Sequence, residues 1–79
     1  MNPQLHNMLR SEAEADRSKA LLSLKLLSDN PAGIGDHTTD DFWNNANQAL
    51  ELLVSADDRL TALKKYFPDQ DTSNQPTLF

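Results

Sequence analysis

The fold is decided by residues 40–67, which read DDFWNNANQALELLVSADDRLTALKKYF and contain neither glycine nor proline. Apolar side chains recur in this stretch at alternating intervals of four and three residues, at Phe42, Ala46, Ala49, Leu53, Ala56, Leu60, Leu63 and Phe67. Such an unbroken heptad pattern predicts an α-helix that packs along its whole length against another helix. The three alanines allow that partner to approach closely. A second apolar stripe widens the pattern and consists of Trp43, Leu50 and Val54.

Both ends of this helix carry recognisable signals. Thr38 or Thr39 is a suitable N-cap, and Asp40 and Asp41 complement the helix dipole in the first turn. Pro68 follows the last apolar position and cannot continue the helix. We therefore predict one helix over residues 40–67.

A first helix is predicted over residues 12–29, which are rich in Ala, Leu, Glu and Lys. It carries a matching seam at Ala13, Ala20, Leu24 and Leu27, with Arg17 in its one polar position. Leu21, Leu22 and Leu26 fall on other faces, so the segment is apolar nearly all round. This pattern is typical of a helix that is covered on more than one side. One partner helix cannot supply that cover, and the sequence therefore predicts a homo-oligomer, most simply a dimer.

Between the two helices, residues 30–39 read NPAGIGDHTT and hold both glycines of the chain. Such a segment is long enough to reverse the chain into an antiparallel pair. The predicted fold class is therefore all-α, an antiparallel two-helix hairpin assembling as a homo-oligomeric helical bundle. Residues 1–67 form the single predicted domain, and residues 68–79 have the polar composition of a flexible C-terminal tail.

Composition excludes several classes of protein. The chain has 79 residues with 7 Lys+Arg, 12 Asp+Glu and no Cys, so disulfides, thiolate metal sites and cysteine nucleophiles are excluded. A core this small contributes little stability without further support. The net charge of -5 argues against duplex nucleic acid and against an anionic membrane surface. No apolar run is long enough for a spanning helix, and we expect a cytoplasmic protein.

The loop and the helix start after it are the best candidates for a ligand site. A helix N-terminus favours an anion, Trp43 offers a surface on which a base can stack, and Lys25 lies at about the same level. In an oligomer, a guanidinium group from another chain can clamp a phosphate. The predicted ligand-binding residues are Ile34, His37, Thr38, Thr39, Trp43, Lys25, Arg17 and Arg59. The simpler interpretation is a well-capped turn, with the two arginines in interchain salt bridges to Glu12, Glu14 or Asp16.

Metal binding and catalysis are less well supported. Asp36, His37, Asp40 and Asp41 lie close together in sequence, but helix capping explains the two aspartates of the helix. The serines lie in helices and in the tail, and none sits in a strained turn beside a base. We predict no catalytic residue, no metal site, no cofactor and no enzymatic activity.

The C-terminus ends in QPTLF, in which Gln75, Leu78 and Phe79 follow a polar segment. This Q-x-x-L-F pattern resembles the short peptides that dock on the bacterial sliding clamp. In such peptides the two apolar side chains fill a pocket and the glutamine bonds at its rim. Alternatively, Leu78 and Phe79 fold back on the apolar surface of the helices.

The turn Asn30-Pro31-Ala32-Gly33-Ile34-Gly35-Asp36-His37, followed by an acidic, leucine-rich helix, resembles a group of small bacteriophage helical-hairpin proteins. The resemblance covers residues 20–67. Some proteins of this sort look like cyclic-nucleotide sponges, which sequester the second messengers of CBASS-type antiphage immunity. The resemblance implies a non-enzymatic sponge for a cyclic oligonucleotide such as a cyclic dinucleotide, with Ile34, His37, Thr38 and Thr39 as its binding positions.

Two functional hypotheses therefore stand. The first is the phage-type sponge that the resemblance implies. The alternative is a protein-interaction module, a dimeric helical bundle that uses its QPTLF tail to bind a host protein such as the sliding clamp.

Overall fold

A computed structural model describes residues 1–29 and 39–68 of the chain, and these residues form two α-helices. Helix α1 spans Pro3–Asp29 and helix α2 spans Thr39–Tyr66. Arg17 lies opposite Asp57 and Asp16 lies opposite Arg59, while Leu27 shares a groove with Ala49 nearer the loop. This order fixes the two helices as antiparallel. The prediction of an all-α, hairpin-like fold is confirmed, while oligomeric assembly remains a prediction.

The heptad seam of α2 faces α1 as the sequence predicts. Ala56 is fully buried, and Ala49 and Leu63 are at most 9% exposed. The remaining seam positions are half-buried, and they are Phe42, Ala46, Leu53, Leu60 and Phe67. The neighbouring stripe is different, because Trp43, Leu50 and Val54 are at least 49% exposed. In a single hairpin that stripe lies outside the core.

The four apolar positions of the α1 seam are confirmed. Ala13 and Ala20 are fully buried, and Leu24 and Leu27 are half-buried. Arg17, in the polar position of the seam, pairs with Asp57 of α2 although its side chain is exposed, and Asp16 beside it is half-buried. A seam of 3.5-residue period drifts around a straight helix of 3.6 residues per turn, so adjacent positions compete for the buried place. The guanidinium group of Arg17 occupies the more solvent-exposed of the two adjacent positions.

Helix α1 begins at Pro3, well before the predicted start near Glu12. Asn2 caps it, because its side-chain Oδ1 accepts hydrogen bonds from the backbone N–H groups of Gln4 (2.7 Å) and Leu5 (3.2 Å). Proline is suited to the first helical position, where its missing N–H would have no partner in the helix. The Asn2-Pro3 pair is therefore a start signal. Helix α2 agrees with its predicted bounds within one residue.

Several large apolar side chains of α1 remain exposed in the single hairpin. Leu21 is 43% exposed, Leu22 57% and Leu26 54%. Helix α2 therefore does not bury these leucines, and the further helix that the sequence predicts to cover them is not part of a single hairpin. The predicted turn over residues 30–39 lies outside the described residues except for Thr39, where α2 begins.

Candidate functional site

The described residues include only part of the predicted ligand site. Thr39 is the first residue of α2, so it lies at the helix N-terminus where the predicted anion site would be. Ile34, His37 and Thr38 lie outside the described residues, as does Asp36 of the acidic cluster beside them. The same is true of the three tail residues of the alternative hypothesis, Gln75, Leu78 and Phe79. Their predicted roles stay predictions.

Trp43 and Lys25 are the predicted site residues that lie near the loop end of the hairpin. The indole of Trp43 is 59% exposed and stands edge-on to the ring of Phe42, with 6.2 Å between their centroids. Lys25 places its Nζ 3.1 Å from Oδ2 of Asp29, one turn further along α1. Asp40 and Asp41 occupy the first turn of α2. The loop end therefore offers an aromatic surface, but its described charges are mainly acidic.

Arg17 and Arg59 lie elsewhere. Each pairs with an aspartate of the other helix: Nε of Arg17 is 3.0 Å from Oδ1 of Asp57, and a terminal nitrogen of Arg59 is 2.9 Å from Oδ2 of Asp16. Arg59 also donates from Nε to the Ser55 carbonyl at 3.2 Å. Both arginines therefore form salt bridges, as the simpler interpretation of the sequence predicts. The bridges seen here lie within one chain, whereas the prediction placed them between chains.

These ion pairs also set the distance between the arginines and the loop. Because α1 begins at Pro3, Arg17 lies near its middle and not towards an end. At 1.5 Å per residue, Arg17 lies about 12 Å from Lys25 along α1, and Arg59 lies about 24 Å from Trp43 along α2. One chain therefore does not bring Arg17 and Arg59 together with Trp43 and Lys25.

Two grooves between the helices lie on one face of the hairpin. The groove nearer the loop has a volume of about 490 Å³, and Lys19, Leu26, Gln48 and Leu52 are among the residues that line it. The other lies near the opposite end, has a volume of about 230 Å³ and is mainly apolar. Its lining includes Leu9, Glu12, Tyr66 and Phe67. The described lining of neither groove contains a carboxylate pair or a serine next to a histidine.

Sequence reasoning missed the N-terminal turns of α1. His6 continues the seam and is 1% exposed, and among the described residues its Nε2 has no hydrogen-bond partner. No group of three or more metal-binding side chains exists within residues 1–29 and 39–68. Leu5 and Met8 are 48% and 62% exposed on the outer surface of the same helix. The Asn2-Pro3 start signal would have placed all three on a helix.

Comparison of the chain with protein-family models, with curated protein sequences and with solved structures finds no match. The function is therefore argued from the residues of this chain alone. Neither α1 nor α2, over the part of each that the structure describes, is long and apolar enough to cross a membrane.

Proposed function

We propose that this protein is a non-enzymatic protein-interaction module, a helical platform that presents its C-terminal QPTLF segment to a host protein such as the sliding clamp. The observation that carries the proposal is the contrast between an alanine core and an apolar surface. Three of the fully buried residues are Ala13, Ala20 and Ala56, whereas many larger apolar side chains are about half exposed. Extended apolar surface on a small protein is typical of a protein–protein contact.

The position of the tail supports the same proposal. Helix α2 ends at Tyr66, at the end of the hairpin remote from the loop, and Pro68 follows directly. Phe67 still donates a helical hydrogen bond from its N–H to the Leu63 carbonyl, at 2.9 Å. The hydrogen bond thus holds the described chain to α2 as far as Phe67. If extended, the eleven residues 69–79 reach about 36 Å, enough to deliver Leu78 and Phe79 to a pocket on another protein.

The test is binding of the full-length chain to a purified bacterial sliding clamp, measured by calorimetry. Leu78→Ala and Phe79→Ala should each weaken binding at least roughly tenfold, because each removes a side chain that fills the partner's pocket. Thr77→Ala is the matched control, since the Q-x-x-L-F pattern leaves that position free, and its affinity should be unchanged. Binding that survives deletion of residues 75–79 would refute the proposal.

The second candidate is the sponge for a cyclic oligonucleotide, and the exposure of Trp43 favours it. An indole that is 59% exposed near a helix N-terminus can stack on a base. The ion pairs of Arg17 and Arg59, together with the acidic first turn of α2, weaken this candidate. An anionic ligand then depends on the helix N-terminus and on cations from other copies.

Trp43 is also the probe for the sponge hypothesis, because it is the only tryptophan of the chain. Stacking of a base should quench its fluorescence when cyclic di- and trinucleotides are added. Trp43→Ala should abolish the heat of binding in calorimetry, whereas Leu50→Ala, in the same exposed stripe, should leave it unchanged. Absence of both quenching and heat across the panel of nucleotides would exclude the sponge.

A further inference from the structure

Helix α1 carries a second heptad pattern beside its contact with α2, and three members of that pattern, Glu12, Lys19 and Leu26, also border the grooves between the two helices. It begins at Leu5, ends at Leu26 and alternates intervals of three and four residues. We call it the α1 outer stripe, and it consists of Leu5, Met8, Glu12, Ala15, Lys19, Leu22 and Leu26. All seven residues are exposed, and the four large apolar ones are between 48% and 62% exposed. At 1.5 Å per residue, the stripe is about 32 Å long.

This stripe is placed where a third helix would pack. The contact of α1 with α2 is centred on Ala13 and Ala20. With 100° per residue, the outer stripe lies roughly 120° around α1 from that contact. In a four-helix bundle each helix touches two neighbours that are about a quarter turn apart. The spacing and length of the stripe therefore match those of a helix–helix seam, and its position leaves room for a further helix beside the contact with α2.

The charges within the stripe indicate the orientation of the partner helix. Glu12 and Lys19 lie on either side of Ala15, near the middle of the stripe, with apolar residues beyond each. When a second copy of the stripe is laid down antiparallel, each Glu12 comes within reach of the other copy's Lys19. A parallel arrangement instead brings Glu12 against Glu12 and Lys19 against Lys19. Neither residue has an ion pair within the described part of its own chain.

We propose that the outer stripe of α1 binds the same stripe of a second copy of this chain in antiparallel orientation. Two Glu12–Lys19 pairs then flank a central contact between the two Ala15 residues, whose small side chains allow close approach. The apolar ends of the stripes cover one another. This contact supplies the interface of the assembled platform in the proposed function, but it does not depend on the tail.

The decisive experiment reverses the charges one at a time and then together. Glu12→Lys alone puts two positive charges side by side at two places in the dimer, because the new lysine faces Lys19 of the other copy. It should raise the dimer dissociation constant at least roughly tenfold in sedimentation equilibrium. Lys19→Glu should do the same. The double variant Glu12→Lys/Lys19→Glu exchanges the two charges and should restore the wild-type constant.

The matched control is Glu51→Lys, which changes the net charge by the same amount at an exposed position of α2 that lacks an ion pair within the described residues. Its dissociation constant should equal that of the wild type, and circular dichroism should show equal helicity for all variants. A second measurement uses the absence of native cysteine: Ala15→Cys should form a disulfide-linked dimer on oxidation.

The proposal is overturned if the wild-type chain is monomeric at all accessible concentrations. It is equally overturned if Glu12→Lys dimerises as the wild type does, or if Leu50→Glu on the other exposed stripe dissociates the dimer instead. Retained self-association after deletion of residues 75–79, together with lost clamp binding, would separate this interface from the function of the tail.

Discussion

Alanine residues occupy the centre of the contact between α1 and α2, where larger apolar side chains are usual. Ala13, Ala20 and Ala56 are fully buried, whereas Leu63 is the one buried leucine among the described residues, at 9% exposure. A buried methyl group contributes only about 0.8 kcal/mol, so these positions supply little hydrophobic stabilisation. Their small side chains instead allow the two helices to pack closely, and the close packing leaves no room for a larger residue at these positions.

Ala20→Leu should therefore destabilise the hairpin, although leucine is the more hydrophobic residue and a good helix former. The added atoms have no space between the helices, and overpacking of this kind costs about 1–3 kcal/mol. The measurement is urea unfolding at one fixed protein concentration. Ala62→Leu is the control, because Ala62 is exposed on α2 beside an open groove that has room for a larger side chain, and the free energy of unfolding of this variant should not fall. A stabilised Ala20→Leu variant would contradict the close contact.

Charged residues beside the seam show what a single sequence cannot predict. The heptad pattern places Arg17 in the polar position of the α1 seam and Arg59 next to the α2 seam, but their partners depend on which residues of the two helices lie opposite one another. Asp57 and Asp16 are forty or more positions away in sequence from those arginines. Only the packed pair of helices reveals these bridges, which engage two of the cations that the predicted ligand site needs.

At the scale of elements, α2 is the more predictable helix because one heptad pattern runs through its whole length. Every predicted seam position of α2 is buried or half-buried. The start of α1 is harder to predict because residues 1–11 are mixed and polar, although Asn2 and Pro3 form a cap and a first turn. Among the candidate site residues, Trp43 and Lys25 lie near the loop as the sequence predicts. Their distance from the loop along each helix follows directly from their position in the sequence.

The two faces of α2 can be compared with neighbouring substitutions. Leu53→Asp should unfold or strongly destabilise the hairpin, by roughly 2–4 kcal/mol, because it forces a carboxylate into the half-buried seam. Val54→Asp is the matched control: it introduces the same charge one residue later, where the side chain is 50% exposed. Loss of helicity in circular dichroism during thermal unfolding measures both. Equal destabilisation by the two variants would show that the seam is wrongly assigned.

For the molecule as a whole, the low stability expected of one hairpin and its exposed apolar side chains both favour association with other hairpins. Two helices with an alanine core have little apolar area to bury, and a chain of 79 residues without disulfides has no covalent support. Many large apolar side chains are instead about half exposed, on the outer stripe of α1 and on the stripe of α2 formed by Trp43, Leu50 and Val54. Association of hairpins is the arrangement that turns this exposed surface into stabilisation.

The melting temperature should therefore rise with protein concentration. Association stabilises the folded state by mass action, and for helices of this size the rise should be about 5 °C for each tenfold increase in concentration. Differential scanning calorimetry over roughly a hundredfold range of concentration measures it. Glu12→Lys should lower the melting temperature and flatten its dependence on concentration, while Glu51→Lys should follow the wild type. A constant melting temperature in the wild type would mean that a single hairpin is stable with its leucines exposed, and the apolar faces would then require a different partner.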